Sequence, residues 1–234
     1  MEIDGIFIEI ERKNIKNLHL SVYPPDARVH VSAPLYLDDN DIRSFVLSKW
    51  EWLEKQRERI FAQERQTERE YVSGESYYHL GAHYRLKVIE EPRCAHSIQK
   101  QGDWLIMKVQ PSTTLENRAL VLREWQRAEL KVVLSEMVPA WAKKCEEAEI
   151  TWEVKHMKAQ WGSCVSKKRH IILNLELARV PKSLIEYVVL HEILHLKINN
   201  HSKIFEALMD KYMPQWRSRR KELNDFIAMP IEDL

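Results

Sequence analysis

Glycine is scarce in this chain, five residues in 234, and cysteine is scarcer at three. So little glycine excludes a collagen-like composition. Cys94, Cys145 and Cys164 are too far apart and odd in number for a disulfide framework or a C-x-x-C metal knuckle, and they fit a reducing cytoplasm. An excess of one charge is missing too. With 36 basic against 35 acidic side chains the net charge is +1, so no whole-chain field draws nucleic acid or an anionic membrane, although a local patch still can. No apolar run approaches the roughly 18 residues that a membrane-spanning helix needs, and Met1-Glu2-Ile3-Asp4 carries neither the basic nor the apolar segment of an export signal. The expectation is a cytoplasmic protein with no membrane partner. At 44% hydrophobic and 30% charged residues the composition is that of an ordinary globular protein, long enough for one large domain or two small ones. What the chain does have is histidine: three of its ten fall between His191 and His201.

Along the first third, apolar residues alternate at Ile6, Ile8 and Ile10, at Leu18, Leu20 and Val22, and at Val29 and Val31, which predicts three short antiparallel strands, with a turn at Tyr23-Pro24-Pro25-Asp26. Helical spacing then takes over, from an N-cap at Asp38 or Asp39, and predicts one long helix over 40–68 whose mixed charges from Glu51 to Glu70 read as a solvated face. Alternation returns from Tyr77 to Gln110, with hairpin turns at Leu80-Gly81-Ala82 and Gln101-Gly102-Asp103. Thr113 and Glu116 form a candidate capping box for a helix reaching about Glu149, which Pro139 should kink or split. Two further strands, Thr151–Met157 and Ile171–Leu177, precede a helix that opens at Pro181. No internal repeat stands out. The predicted fold is α+β: a β-rich N-terminal region, 1–110, with the long helix, and a mostly helical domain, 111–234, with a small antiparallel sheet and a soft boundary.

The segment Tyr187-Val188-Val189-Leu190-His191-Glu192-Ile193-Leu194-His195-Leu196 places His-Glu-x-x-His inside an apolar helix. Histidines four residues apart point the same way and can reach one metal ion at ~2.0–2.1 Å. Glu192 lies about 100° further round, so its carboxylate can serve a water as base instead of joining the ligands. Zinc with three protein ligands and a water lowers the water pKa to ~7 and polarises a carbonyl. For the third ligand His201 is the natural candidate and Glu206 its rival. His201 requires the helix to end and the chain to turn back, for which Asn199-Asn200 is suited because Asn tolerates the left-handed conformation, and Ser202 can cap the next helix. With no cluster of thiols available, the ligands must be nitrogen and oxygen, which favours a catalytic site with one zinc per chain over a structural one.

The boxes Trp161-Gly162-Ser163-Cys164, Leu173-Asn174-Leu175, the Tyr187–Lys197 segment and Asn200-His201-Ser202-Lys203-Ile204-Phe205, with Gly74-Glu75 and Leu80-Gly81, resemble the YgjP-like family of bacterial zinc metallopeptidases, distant kin of the SprT-like zincins, over nearly the whole chain. The resemblance implies zinc on His191, His195 and His201 with Glu192 as base. Gln160 stands where an arginine is common and Glu206 where a tryptophan is common, which leaves the ligands intact and bears on the substrate pocket.

Around this centre, Tyr187 is a candidate oxyanion donor and Asn174 a candidate partner for the free nitrogen of a ligand imidazole. Trp161 and Gly162 are candidates for a turn and pocket wall, Cys164 for a buried thiol, and Lys167, Lys168 and Arg169 for binding an anionic substrate. A second basic run holds Lys197, Lys203, Lys211, Arg217, Arg219, Arg220 and Lys221. The favoured function is a zinc-dependent peptidase acting on a peptide or protein held by strand addition, with Ile171–Leu175 as the edge strand. One alternative keeps the metal and hydrolyses the phosphoanhydride of a nucleotide such as a nucleoside triphosphate, with the 167–169 cluster on the phosphates. Another is a nucleic-acid-associated protease that docks through its basic C-terminal helices.

Overall fold

The structure is a computed structural model and describes residues 1–23, 26–62, 69–157 and 160–227. It is α+β, as the periodicities predict. By contacts the chain divides into Met1–Thr67 with Ile227–Leu234, and Glu68–Phe226.

In the first unit, strands β1 (Glu2–Ile3), β2 (Ile6–Lys13), β3 (His19–Tyr23) and β4 (Arg28–Pro34) form one sheet in the order β1-β2-β4-β3. The predicted strands are present, but β2 and β4 run parallel, with Ile8 opposite Val29, and only β1 and β3 pair antiparallel. The middle place goes to β4, whose Val29, Val31 and Ala33 are fully buried. Alternation reveals which residues face inward and is silent on partners. Two helices follow where one was predicted: α1 (Asp39–Ser48) and α2 (Trp50–Ala62). Asp38 caps α1, accepting from the Asp41 N–H while the Asp41 carboxylate accepts from its own. The break is at Lys49, and nothing in the sequence marks it. Residues 63–68 of the predicted helix and Pro24-Pro25 of the predicted turn lie outside the described residues. Ile42, Val46 and Leu53 close the core over Ile8, Val29 and Val31.

The second unit repeats the pattern. Strands β5 (Ser76–His79), β6 (Ala82–Glu90), β7 (Ser97–Gln101) and β8 (Trp104–Val109) take the order β5-β6-β8-β7, again with the second and fourth strands parallel. The helix α3 (Leu115–Lys144) shares their core through Ala119 and Leu122 against Leu86, Leu105 and Met107. In the division by contacts this sheet falls with α3: a sheet with one apolar face must bury it against something, and α3 supplies the cover. The cap of α3 is Thr114, one residue after the predicted Thr113, and the helix runs unsplit through Pro139 to end at Lys144.

A third sheet, β9 (Thr151–Lys155), β10 (Gly162–Val165) and β11 (His170–Asn174), takes the order β10-β11-β9. Here too the first and third strands are parallel and the second folds back on the third. The sheet is thus mixed where an antiparallel one was predicted, and β11 is central, so Ile171–Leu175 offers no free edge; the edge strands are β10 and β9. The last three strands of each sheet share one arrangement without any visible repeat in sequence, because hydrogen bonds between backbones ask only for the inward alternation. Leu175–Leu177, the predicted end of the second strand, lie in a 3-10 turn, Leu175–Arg179, capped by the Asn174 side chain. Helices α4 (Lys182–Leu194), α5 (Lys203–Tyr212) and α6 (Trp216–Ile227) complete the unit. Pro181 is the residue before α4, not its first.

The tip of the β5–β6 hairpin fixes where α4 begins. Leu80 and Gly81 both have positive φ, the requirement of a two-residue type I′ turn. Their N–H groups donate to the carbonyls of Ala178 and Arg179, at 2.8 and 3.0 Å. A Cβ on Gly81 would stand 2.7 Å from Pro181 Cγ and 2.9 Å from its Cα. Gly81→Ala is therefore expected to lower stability by roughly 1–3 kcal/mol, the usual cost of overpacking, read as an earlier midpoint in urea; an unchanged midpoint would refute this contact.

Candidate active site

Helix α4 is apolar on every side, with Leu184, Ile185, Val188, Val189, Leu190, Ile193 and Leu194 all buried, as befits a helix enclosed by its neighbours. Polar side chains in such a helix are costly to bury and need a compensating partner. His191 and Glu192 lie within it and His195 caps its end. The chain then turns, and His201 arrives just before α5. Asn199 and Asn200 make that turn without adopting positive φ, contrary to the left-handed expectation. Ser202 is the residue before α5, although its side chain makes no cap bond.

The three Nε2 atoms converge: 3.1 Å from His191 to His195, 3.2 Å from His195 to His201 and 3.0 Å from His201 to His191. Phe205, fully buried on α5, holds the cluster together, its ring centre 4.7–5.0 Å from those of all three imidazoles. Burial, then the charges of His195, His201 and Arg220, pulls the His191 pKa down to about 3. Burial, with His195 and Arg220, also lowers that of His201. Both rings are thus neutral near pH 7. The Nδ1 of His195 stands 2.8 Å from the Ile198 carbonyl, which can only accept, so Nδ1 holds the proton and Nε2 presents its lone pair in the uncharged ring.

This donor set suits a cation. Three facing lone pairs repel one another unless something positive lies between them. Nitrogens bound tetrahedrally at ~2.0–2.1 Å stand roughly 3.3 Å apart, close to the spacings here. Glu206, the rival ligand, is exposed and faces Arg217 at 3.7 Å.

Glu192 is 6% exposed, and no hydrogen-bond partner among the described residues meets its carboxylate. Burial pushes its pKa up to about 8. Gly162, on the edge strand β10, makes room for it: a Cβ there would stand 2.7 Å from Glu192 Cγ and Oε1.

A family model described as YgjP-like, metallopeptidase domain, matches residues 16–226. The chain belongs to the YgjP-like family. Membership makes it a relative of metal-dependent hydrolases of peptide bonds. No curated protein matches it. Among solved structures it is similar to the metallopeptidase zymogen jannalysin of Methanocaldococcus jannaschii, at 23% identity, over 40% of this chain and 96% of that one, with a TM-score of 0.37. It is similar also to the zymogen abylysin of Pyrococcus abyssi, at 15% identity, over 40% and 94%, with a TM-score of 0.38.

The remaining candidates of this YgjP-like chain separate cleanly. Tyr187 is beside the histidines, buried, its ring centre 5.8 Å from that of His191, and chiefly burial raises its pKa, so the hydroxyl stays a donor. Asn174 touches no imidazole. It is buried and stitches the preceding loop, donating to the Met157 and Gln160 carbonyls and accepting from the Met157 and Glu176 N–H groups. The Trp161 carbonyl accepts from Asn174 N–H, and its indole packs on the core. Burial, then the Glu192 and Glu147 charges, pushes the half-buried Cys164 thiol up to about 11, which keeps it from being a nucleophile near pH 7. Arg169 is occupied by Glu147 at 2.5 Å and by the Ala148 and Glu149 carbonyls, and only Lys167 and Lys168 of that cluster stay exposed. No finding favours a nucleotide or nucleic acid. Among the described residues no helix is long and apolar enough to cross a membrane.

Phe205 and the Ile198 carbonyl were not legible as site residues. Only their spacing from His195 and His201 hints at them, and any apolar residue or carbonyl reads alike in sequence.

Proposed function

We propose that the chain is a zinc-dependent peptidase with His191, His195 and His201 as ligands and Glu192 as general base. The observation that carries this reading is the convergence of three imidazole nitrogens within 3.0–3.2 Å beside a buried, unpartnered carboxylate. Zinc, when bound there, supplies a Lewis acid that polarises the peptide carbonyl, acidifies water and draws the Glu192 carboxyl back toward its ionised form. Glu192 takes the proton of the attacking water and returns it to the leaving amine. Its lack of other hydrogen bonds leaves both oxygens available for that transfer. The Tyr187 hydroxyl donates to the oxyanion. The substrate lies along β10, whose outer edge is unpaired among the described residues and which passes over Glu192 at Gly162. The three unpaired cysteines suit a reducing cytoplasm.

The test is to incubate the zinc-loaded wild type and Glu192→Gln with a peptide library and with a panel of nucleotides. Peptides consumed by the wild type alone support the reading. Nucleotides consumed by the wild type alone, with peptides intact, overturn it.

A further inference from the structure

Helix α3 ends in a way that reaches the metal site. Its last turn closes as a Schellman motif, in which the Glu147 N–H donates to the Ala142 carbonyl at 2.9 Å and the Glu146 N–H to the Lys143 carbonyl at 3.2 Å, with Glu146 at a φ of 55°. The motif leaves the Cys145 carbonyl without a helical donor and folds the Glu147 side chain inward, 6% exposed. That is the most enclosed carboxylate in any ion pair among the described residues; the next, Glu176, is 16% exposed. A charge so enclosed needs partners, and two cations meet it. Arg169, between β10 and β11, lies 2.5 Å from Oε2, and Lys197 lies 3.4 Å from Oε1. The Lys197 ammonium donates also to the Cys145 carbonyl, at 2.5 Å.

Lys197 belongs to the turn 196–200 that joins His195 to His201. Its own N–H and that of Ile198 donate to the Leu194 carbonyl, at 3.1 and 3.0 Å, and the Leu196 N–H donates to the Ile193 carbonyl, so the backbone of the turn hangs from the end of α4. The Ile198 carbonyl, one peptide beyond Lys197, stands 2.8 Å from His195 Nδ1. Among the described residues, the Lys197 ammonium is the one polar link from this turn to any element other than α4. A carbonyl that holds the proton on Nδ1 also sets the aim of Nε2, and its own place depends on the peptides beside it.

We infer that Lys197 is a positioning residue for the metal site: held by Glu147 and the Cys145 carbonyl, it fixes the turn that carries the Ile198 carbonyl, and so the aim of the His195 ring. The inference rests on the reading of the three histidines as zinc ligands. Losing a direct partner of a ligand imidazole costs about 10–100-fold in metal affinity. Lys197 is exposed and acts one peptide further out. Its loss is therefore expected to cost roughly three- to tenfold, the worth of one net hydrogen bond.

Zinc dissociation constants of the full chain are measured by competition with a chromophoric chelator, beside melting curves of the metal-free proteins and visible spectra after cobalt substitution. Lys197→Met removes an exposed side chain and leaves Arg169 on Glu147, so the fold persists. It should weaken zinc binding by the factor given and alter the cobalt spectrum, and in Lys197→Arg part of the affinity returns. Glu147→Gln should weaken zinc binding as well, and the double variant of Lys197→Met with Glu147→Gln should bind no worse than the weaker single, because both act through one link. Arg169→Met takes the other cation from the same carboxylate. It should lower the melting temperature and leave zinc affinity unchanged. Wild-type zinc affinity in Lys197→Met, or an equal loss in Arg169→Met, overturns the inference and leaves the zinc reading standing. A wild type that binds no zinc overturns both.

Discussion

Glu192→Gln should lower kcat/KM on a cleaved peptide by roughly 10²–10⁴-fold, the range that general acid–base catalysis supplies, while the protein keeps its fold and its metal. The substitution changes no volume, and it replaces an ionisable group that is 6% exposed and has no hydrogen-bond partner among the described residues. Burial alone raises the pKa of that carboxyl to about 8. A neutral amide at this position removes a group whose charged form is costly to enclose, so the stability of the variant without metal should be unchanged or increased. The three imidazoles are untouched, and the Nδ1 of His195 keeps its bond to the Ile198 carbonyl. Kinetics on one peptide, with a melting curve and a zinc assay on the same preparation, check all three statements. Activity within a few-fold of the wild type would remove Glu192 from the mechanism.

Gly162→Ala should damage the same carboxylate from the other side. Gly162 has no positive φ, so its backbone accepts alanine without strain; the difficulty is space. The new Cβ would stand 2.7 Å from Glu192 Cγ and Oε1 and 2.9 Å from its Cδ. Either the carboxylate rotates away from the histidines or β10 lifts from α4, and a shift of about 1 Å at a reacting group costs on the order of 10²-fold in rate. Overpacking adds about 1–3 kcal/mol of destabilisation. The double variant Gly162→Ala with Glu192→Gln separates the two effects. Both substitutions act on activity through one carboxylate, so their losses in rate should not add, whereas the steric penalty persists because glutamine fills the same space. Fully additive rate losses would mean that Gly162 serves catalysis by another route.

The approach of His191 to His195 was legible because it depends on local spacing. His191 and His195 share a face by helical geometry, and the apolar run around them marks a buried helix before any tertiary contact is known. What depends on tertiary placement was not. The choice between His201 and Glu206 rests on where the chain returns after α4, and the structure brings His201 to 3.0 Å from His191 while Glu206 faces Arg217. Asn174 and Arg169 have the right chemistry for a ligand-orienting group and an anion site, yet neighbouring loops take up their hydrogen bonds. In the sheets, inward-facing residues followed from alternation at Ile6, Ile8, Val29 and Val31, but the parallel pairing of β2 with β4, of β6 with β8 and of β9 with β11 did not. Pairing is settled by which strand can bury both neighbours' apolar faces, a property of the whole sheet.

The central claim is a metal held by three histidines, and zinc content tests it most directly. The purified wild type, Glu192→Gln and Glu206→Ala should each carry about one zinc per chain, and His201→Ala should retain a small fraction of that after the same dialysis. Full zinc in His201→Ala, or loss of zinc in Glu206→Ala with His201 intact, would contradict the account.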